Sequence, residues 1–287
     1  MSVNTYVLAL SCPDTAGIVH SVSSFILDHG CTIEESQQFG DRQSGRFFMR
    51  VQFRPTDEAS TADIETLRGD LADTAMTLGL SWELWDTSVK PRVLIMVSKY
   101  GHCLNDLLYR AATGWLDVEV AAVVSNHEDL AWMAYSHGVA FHHVPVSPKA
   151  KPEAEARLLD LVRELDVDLV VLARYMQVLS PELCKALEGR AINIHHSMLP
   201  SFKGARPYHQ AHARGVKFVG ATAHYVTSDL DEGPIIEQSV TRVNHALSPG
   251  EVVALGRDNE CRALARAVRW HTQRRVLLSG HRTVVFA

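Results

Sequence analysis

The sequence has no apolar run long enough to cross a membrane, and its few cysteines lack the spacing of a disulfide-rich protein. Its longest apolar stretches, such as RVLIMV and VDLVVLA, are far shorter than the roughly 20 residues that a membrane helix needs. The five cysteines are an odd number without C-x-x-C spacing, which argues against a disulfide framework and a zinc-cysteine site. We therefore expect reduced thiols in a cytoplasmic protein with no membrane partner.

An excess of positive charge and the common hydrolase motifs are also missing. The net charge is −5, from 28 Lys and Arg against 33 Asp and Glu, so no nucleic-acid partner is expected. Neither G-x-S-x-G nor H-E-x-x-H occurs, which argues against a serine nucleophile elbow and a common helical zinc site. With 287 residues, 46% of them hydrophobic, the chain is long enough for two domains.

The first 87 residues follow the order βαββαβ. YVLALS reads as a buried strand, and apolar residues from Ile18 to Ile26 then recur at helical spacing until a break at 28–30. CTIEESQQF and GRFFMRVQF form a predicted hairpin, Asp57 is a plausible N-cap for a second helix, and SWELWDT is a last strand. This order predicts a ferredoxin-like domain over 1–87, followed by a linker at 88–91.

The motifs CPDTAGIV and SQQFGDRQSGRFFMRVQF in this domain resemble those of the ACT family of small-molecule regulatory domains. The resemblance implies an amino-acid effector that contacts Asp14, Gly17, Ile18 and Val19. In the alternative interpretation, Gly17 only permits a tight turn and Asp14 caps the helix. Edge strands of such units often pair across subunits, so we also expect a homo-oligomer, either a dimer or a tetramer.

From residue 92 to 287 the pattern changes to that of an α/β domain. RVLIMVS, VEVAAVVS, VDLVVLA and AINIHH are compact apolar strands separated by helical stretches that include 103–112, 152–165 and 180–187. Such a pattern predicts a Rossmann-like, doubly wound and mostly parallel sheet. A long helical stretch is predicted at 249–278. Sheets of this class bind ligands at the carboxyl ends of their strands.

One of those strand ends carries polar side chains. In AINIHH, Asn193 and His195 alternate with two isoleucines, so the amide and the imidazole lie on one side of the strand. They could simply satisfy each other and nearby backbone groups. A following turn, SDLDEG, contributes Asp231, and a solvated hairpin is the alternative for that turn. Together an amide, an imidazole and a carboxylate suit nucleophilic attack on a carbonyl carbon.

Three ordered motifs resemble the folate-dependent formyltransferase family from about residue 92 to 237. They are NIH at 193–195, LPSFKG at 199–204 and DEGPI at 231–235. The resemblance implies that Asn193, His195 and Asp231 are catalytic. RYMQVLSP resembles the family segment whose backbone binds the pteridine ring. The resemblance implies that four consecutive residues contact this ring, Met176, Gln177, Val178 and Leu179.

Two further residues are expected to position the substrate or the attacking nucleophile. They are His102 and Gly204. His102 follows the first strand of the second domain, and in the alternative interpretation it only caps the helix that begins there.

An ACT-like domain joined to this catalytic domain resembles the family members that pass the formyl group of 10-formyltetrahydrofolate to water. These members release formate, which feeds purine synthesis, and tetrahydrofolate. Their place in one-carbon supply makes glycine and methionine the candidate effectors. Beyond the folate substrate, we expect no cofactor and no metal.

The residues leave three alternatives open. The first is transfer to an amine such as glycinamide ribonucleotide, although Lys99, Tyr100 and His102 stand where those transferases carry a phosphate-binding glycine loop. The second is a metal-dependent hydrolase that uses the histidines clustered in the sequence, His195, His196, His209, His212 and His224. The third is an amino-acid sensor whose second domain only binds folate.

Overall fold

The computed structural model describes residues 5–56, 63–199 and 207–287. The chain divides into two compact units, and the first boundary lies between Lys90 and Pro91. Unit 1 also contains Gln273–Ser279 and Thr283–Ala287, whereas unit 2 runs from Pro91 to Thr272 and includes Gly280–Arg282.

The predicted second domain, 92–287, differs from unit 2 at the end of the chain, where most residues after Thr272 belong to unit 1. Within unit 1, the Arg275 guanidinium donates to both carboxylate oxygens of Glu35, at 3.0 and 2.9 Å. Gln273 accepts a hydrogen bond on its carbonyl oxygen from Arg50 at 3.1 Å. These contacts hold the last residues against the N-terminal sheet, a placement that sequence distance could not show.

Unit 1 has the predicted order of elements. They are β1 (Tyr6–Pro13), α1 (Ile18–Asp28), β2 (Cys31–Asp41), β3 (Arg46–Pro55), α2 (Ile64–Leu78) and β4 (Ser81–Asp86). The sheet order is β2-β3-β1-β4, and each pair of neighbours is antiparallel. This arrangement confirms the ferredoxin-like fold.

Caps and a shared core explain why the helices of unit 1 form where they do. Gly17 precedes α1 in the left-handed region, with φ 97°, so the cap of this helix is Gly17 and not Asp14. The Asp63 side chain caps α2 by accepting from two backbone amides, while the predicted cap, Asp57, lies outside the described residues. Buried side chains of the helices, such as Val22 and Leu71, pack with those of the sheet in one core.

Unit 2 contains a sheet of seven strands. Its elements are β5 (Arg92–Val97), α3 (His102–Ala112), β6 (Glu119–Ser125), α4 (Ala131–Ser136), β7 (Phe141–His143), α5 (Lys151–Glu164), β8 (Leu169–Leu172), α6 (Pro181–Ala186), β9 (Ala191–His195), α7 (Pro207–Ala213), β10 (Phe218–Tyr225), β11 (Ile235–Arg242) and α8 (Pro249–Thr272). The strand order is β11-β10-β9-β8-β5-β6-β7. Strands β5 to β9 pair in parallel, and β10 and β11 add antiparallel pairs.

This topology confirms the predicted mostly parallel sheet and creates a crevice. From β5 the chain first builds β6 and β7 on one side, and it then returns to build β8 and β9 on the other. Ligands bind at such a reversal, outside the carboxyl ends of the strands. Both Arg174, after β8, and His195, at the end of β9, lie at those ends.

The C-terminal helix is shorter than predicted. α8 ends at Thr272 instead of 278 because Arg274 takes a left-handed conformation, with φ 56°, which a helix cannot continue through. Two short strands follow, β12 (Val276–Ser279) and β13 (Arg282–Val285). Among the described residues, none of the helices combines the length and the apolar composition required to cross a bilayer.

Candidate active site

The antiparallel pair β9 and β10 brings Asn193 next to a histidine from the neighbouring strand. In the strand register Asn193 faces His224, and Asn193 Nδ2 lies 3.2 Å from His224 Nε2. His224 Nδ1 lies 2.8 Å from the Tyr225 carbonyl oxygen, which can only accept, so Nδ1 carries the proton. In the neutral ring Nε2 then accepts from the Asn193 amide, and the second N–H of that amide stays available for a ligand.

Asp231 approaches the same strand ends from the turn between β10 and β11. Its Oδ2 lies 3.1 Å from His195 Nδ1, and its Oδ1 lies 3.6 Å from His224 Nε2. The hydrogen bond from His195 holds the pKa of the Asp231 carboxyl well below its usual range, although burial opposes this shift. Asp231 is therefore an ionised carboxylate at neutral pH.

The two ring nitrogens of His195 have different surroundings, and Nδ1 is the one bonded to Asp231. Because a carboxylate only accepts, His195 Nδ1 carries a proton. Within the described part of the chain, Nε2 is buried without a hydrogen-bond partner. This nitrogen accepts a proton when the ring is neutral and donates one when the ring is doubly protonated. It is thus the atom of His195 that is available for chemistry.

The turn that presents Asp231 depends on a glycine. Asp231 itself takes a left-handed conformation, with φ 58°, and the Tyr225 amide donates to the Pro234 carbonyl oxygen at 2.9 Å. A Cβ added to Gly233 would overlap the Tyr225 carbonyl oxygen and would approach His224 Nδ1. Only glycine at position 233 lets the turn close against β10 in this way.

Asn193, His195, His224 and Asp231 all line one cavity of about 270 Å³. The four residues predicted to contact the pteridine ring, Met176, Gln177, Val178 and Leu179, line the same cavity. Its volume is close to the lower end of small-molecule pockets. The structure therefore brings the predicted catalytic residues and the predicted folate contacts together.

Ser98, which directly follows β5, anchors the segment that contains Met176. Its hydroxyl donates to Asn126 Oδ1 at 2.7 Å and accepts from the Met176 amide at 2.9 Å. Its own amide donates to the Arg174 carbonyl oxygen at 3.2 Å. Ser98 is buried, and these three bonds fix the backbone of 174–176 at the cavity wall.

A buried polar cluster lies in the same unit around Glu260, whose side chain is 1% exposed. The Glu260 carboxylate accepts from Tyr208 at 2.9 Å, lies 2.8 Å from His102 Nε2 and lies 3.3 Å from Arg174 Nε. Burial raises the pKa of the Glu260 carboxyl, but the hydrogen bond from His102 and the charge of Arg174 outweigh it, so the net shift is downward. His102 is therefore a partner of Glu260 and is not among the described residues that line the cavity.

The histidines that suggested a metal-dependent hydrolase do not form a ligand group in the described part of the chain. There, the one group with metal-ligand geometry is His102, Cys103 and Glu260. The Arg174 cation at 3.3 Å from Glu260 Oε2 opposes a second cation at that oxygen. His212, one of the suggested ligands, is instead bonded through Nε2 to the Leu247 carbonyl oxygen at 3.0 Å.

Other predicted residues lie elsewhere. Gly204 lies outside the described residues. The four candidate effector contacts belong to unit 1, where Asp14, Gly17 and Val19 are exposed. Ile18 is only 2% exposed because its side chain packs in the core, so its backbone alone remains available to a ligand.

Sequence reasoning did not assign a catalytic-site role to His224, and it missed Ser98 and Arg174. A pattern in the sequence could have revealed His224, because Thr222 and His224 place polar side chains at alternate positions of an otherwise apolar strand, as Asn193 and His195 do. Arg174 directly follows the apolar run of β8. For Ser98, no such pattern distinguishes the residue from an ordinary strand end.

Comparison with known proteins agrees with this geometry. Residues 91–268 match the family described as Formyl transferase. The formyltetrahydrofolate deformylase of Corynebacterium sp. (strain P-1) is 52% identical over 98% of this chain and 97% of its own length, and that of Bacillus subtilis (strain 168) is 44% identical over 97% and 93%.

The likeness extends to three dimensions. The crystal structure of formyltetrahydrofolate deformylase from Burkholderia mallei ATCC 23344 superposes with a TM-score of 0.94, at 51% identity, over 99% of this chain and 100% of that chain. The match thus covers both the ferredoxin-like unit and the catalytic unit. From these likenesses, the chain belongs to the formyltetrahydrofolate deformylase family.

Proposed function

We propose that this protein hydrolyses 10-formyltetrahydrofolate to tetrahydrofolate and formate, with Asn193, His195 and Asp231 as its catalytic residues. The observation that carries the proposal is their convergence on one cavity, with His195 Nδ1 at 3.1 Å from Asp231 Oδ2. The names of the full-length relatives support the same reaction.

In this mechanism the pteridine ring lies against the backbone of 176–179, which Ser98 holds in place. Asp231 uses Oδ2 for His195, so Oδ1 accepts a hydrogen bond from the attacking water and aims its oxygen at the formyl carbon. Because its pKa is depressed, Asp231 is a weak base and orients the water more than it deprotonates it.

The formyl oxygen becomes negative as the water adds. The free N–H of Asn193 and the Nε2–H of doubly protonated His195 donate to it, which stabilises the tetrahedral intermediate. The C–N bond then breaks, its electron pair goes to the folate nitrogen, and that nitrogen takes the proton of His195 Nε2. The attacking water gives up two protons, of which one replaces the proton on His195 and the other is released to solvent. The products are tetrahydrofolate, formate and one released proton.

The test is formate release from purified protein supplied with 10-formyltetrahydrofolate. We expect equal amounts of formate and tetrahydrofolate, and a rate that glycinamide ribonucleotide does not change. Asn193→Ala should lower kcat by about a hundredfold or more, the usual cost of an oxyanion donor, with the fold checked by circular dichroism. Near-normal turnover of folded Asn193→Ala would refute the assignment, and turnover that required the amine would instead identify a transferase.

The reaction as proposed needs no metal and no cofactor other than the folate substrate. Water and the three side chains account for each bond that forms or breaks. Exhaustive chelation should therefore leave the rate unchanged, and loss of activity that zinc restores would contradict this part of the proposal. We place the enzyme in the cytoplasm, where its formate would supply purine synthesis.

For unit 1 we propose a regulatory role in which glycine or methionine binds at the turn formed by Asp14 and Gly17 to Val19. Gly17 is exposed and α1 has no side-chain cap, so the first amides of the helix can donate to a carboxylate, and Asp14 offers a carboxylate to an amino group. The 11-residue strand β2 lies at the sheet edge with Phe39 46% exposed, which supports pairing with another subunit in a dimer or tetramer. Activity with each amino acid and light scattering would test the two points.

A further inference from the structure

Two residues of the cavity wall bury polar nitrogens that have no hydrogen-bond partner in the described part of the chain. One is His195, whose Nε2 already has a role in the proposed mechanism. The other is Arg174, where both Nε and Nη1 lack a hydrogen-bond partner although the side chain is only 10% exposed. Buried donors of this kind are costly unless a ligand or the protein uses them.

The protein holds this guanidinium firmly in place. Arg174 follows β8 in a left-handed conformation, with φ 65°. Its Nε lies at an ion-pair distance of 3.3 Å from Glu260, and its guanidinium lies 5.4 Å from the centre of the Tyr100 ring. Glu260 is shared with His102 and Tyr208. Arg174 Nε therefore faces a charge partner, while Nη1 is a buried donor with neither a hydrogen bond nor an ion pair in the described part of the chain.

Charge in the cavity is uneven without Arg174. Among the described residues of the wall, Arg174 is the one lysine or arginine, whereas Asp229 and Asp231 are both acidic. His196 does not add a positive charge at neutral pH, because burial and the charge of Arg174 lower its pKa to about 4. The cavity therefore offers a newly formed anion one permanent cation.

We propose that Arg174 forms the subsite for the formate released by hydrolysis, an inference that rests on the proposed function. The reaction converts a neutral formyl group and water into an anion and a proton, beside an Asp231 that is already negative. A planar carboxylate matches the edge of a guanidinium and accepts two parallel hydrogen bonds from it. Arg174 thus offsets the repulsion between formate and Asp231 until the product leaves.

The experiment compares formate binding to the full-length enzyme and to Arg174→Met. Binding is followed without turnover by the line width of ¹³C-formate in NMR spectra, and during turnover by the inhibition constant of added formate. We expect Arg174→Met to raise both the dissociation constant and the inhibition constant of formate by about tenfold or more, because a charge-assisted pair is lost. The KM for the folate should change much less, which a general structural defect would not reproduce.

Arg269→Met is the matched control. Arg269 also buries an Nε that has no hydrogen-bond partner in the described part of the chain, and it lies over the Trp115 ring at 4.6 Å. It is not among the described residues of the cavity wall. Its substitution should leave formate binding unchanged. Sodium chloride at equal ionic strength controls for simple salt effects.

Two further variants guard against misfolding. Arg174→Lys keeps the charge beside Glu260 but loses the planar edge, and Arg174→Met combined with Glu260→Gln removes both charges; each should bind formate more weakly than the wild type. Equal formate binding by the wild type and folded Arg174 variants would overturn the proposal, as would wild-type binding no stronger than that of chloride. Formate binding that depends on Arg174 in an enzyme without hydrolytic activity would support the site and refute only the proposed function.

Discussion

Replacing His224 by leucine tests whether this histidine positions Asn193 for catalysis. His224 has no assigned contact with the substrate, and its Nε2 accepts from the Asn193 amide at 3.2 Å. Without this acceptor the Asn193 side chain regains rotational freedom. Immobilising one such side chain costs about 0.5–1.5 kcal/mol, and about 1.4 kcal/mol equals a factor of ten in rate.

We therefore expect His224→Leu to lower kcat by about tenfold, which is less than the hundredfold or more expected when the Asn193 donor is removed altogether. The KM for 10-formyltetrahydrofolate should change little. The assay is steady-state formate release for four proteins: the wild type, each single variant and the double variant with Asn193→Ala. If His224 acts through Asn193, His224→Leu should lower kcat by less than about twofold when Asn193 is already replaced by alanine.

His212→Leu is the matched control, because His212 is also bonded through a ring nitrogen to a backbone carbonyl, at 3.0 Å, but is not among the described residues of the cavity wall. It should retain wild-type kcat. Thermal melting of all variants separates loss of fold from loss of positioning, since His224 is only 2% exposed. A full tenfold loss in the Asn193→Ala background would refute the positioning role.

Three other predictions concern the walls of the site. Gly233→Ala should lower kcat/KM by about a hundredfold, because the added Cβ overlaps the Tyr225 carbonyl oxygen and a 1 Å displacement of Asp231 lowers the rate by about that factor. The control is Gly250→Ala, where the nearest contact of the added Cβ is ordinary at 3.9 Å; it should leave kcat/KM unchanged. Ser98→Ala should raise the KM for the folate by about threefold to tenfold, the worth of one hydrogen bond, because the Met176 amide loses its acceptor; an unchanged KM would contradict the bracing role. The ionised Asp231 carboxylate should stabilise the folded wild type above about pH 4, because its folded pKa lies below its unfolded pKa, and this stabilisation should be lost as the pH falls further. Asp231→Asn lacks it, so urea melts at pH 7, 5 and 3 should show the difference in unfolding free energy between the two proteins shrinking toward acid. A difference that grows toward acid would refute the sign.

Local patterns in the sequence were enough to predict both folds, whereas the catalytic roles proposed for Asn193, His195 and Asp231 came from the resemblance to a known family. The alternation of Asn193 and His195 with two isoleucines places them on one side of β9 whatever the rest of the fold does, because strand geometry has a period of two. The order βαββαβ and the later apolar strands likewise predicted the two sheets from short-range signals. The identity of the folate contacts came from a resemblance and not from periodicity.

Contacts between distant segments were decided only by the tertiary structure. His224 lies 31 residues from Asn193 and contacts it through the antiparallel register of β9 and β10. His102 contacts Glu260 across 158 residues and is not among the described residues that line the cavity, where it was predicted to act. The C-terminal segment joined unit 1 through the pairing of Arg275 with Glu35, across 240 residues. By itself the sequence determined which side chains share a strand face, because that depends on neighbouring dihedral angles; which faces meet depended on how the whole chain packs.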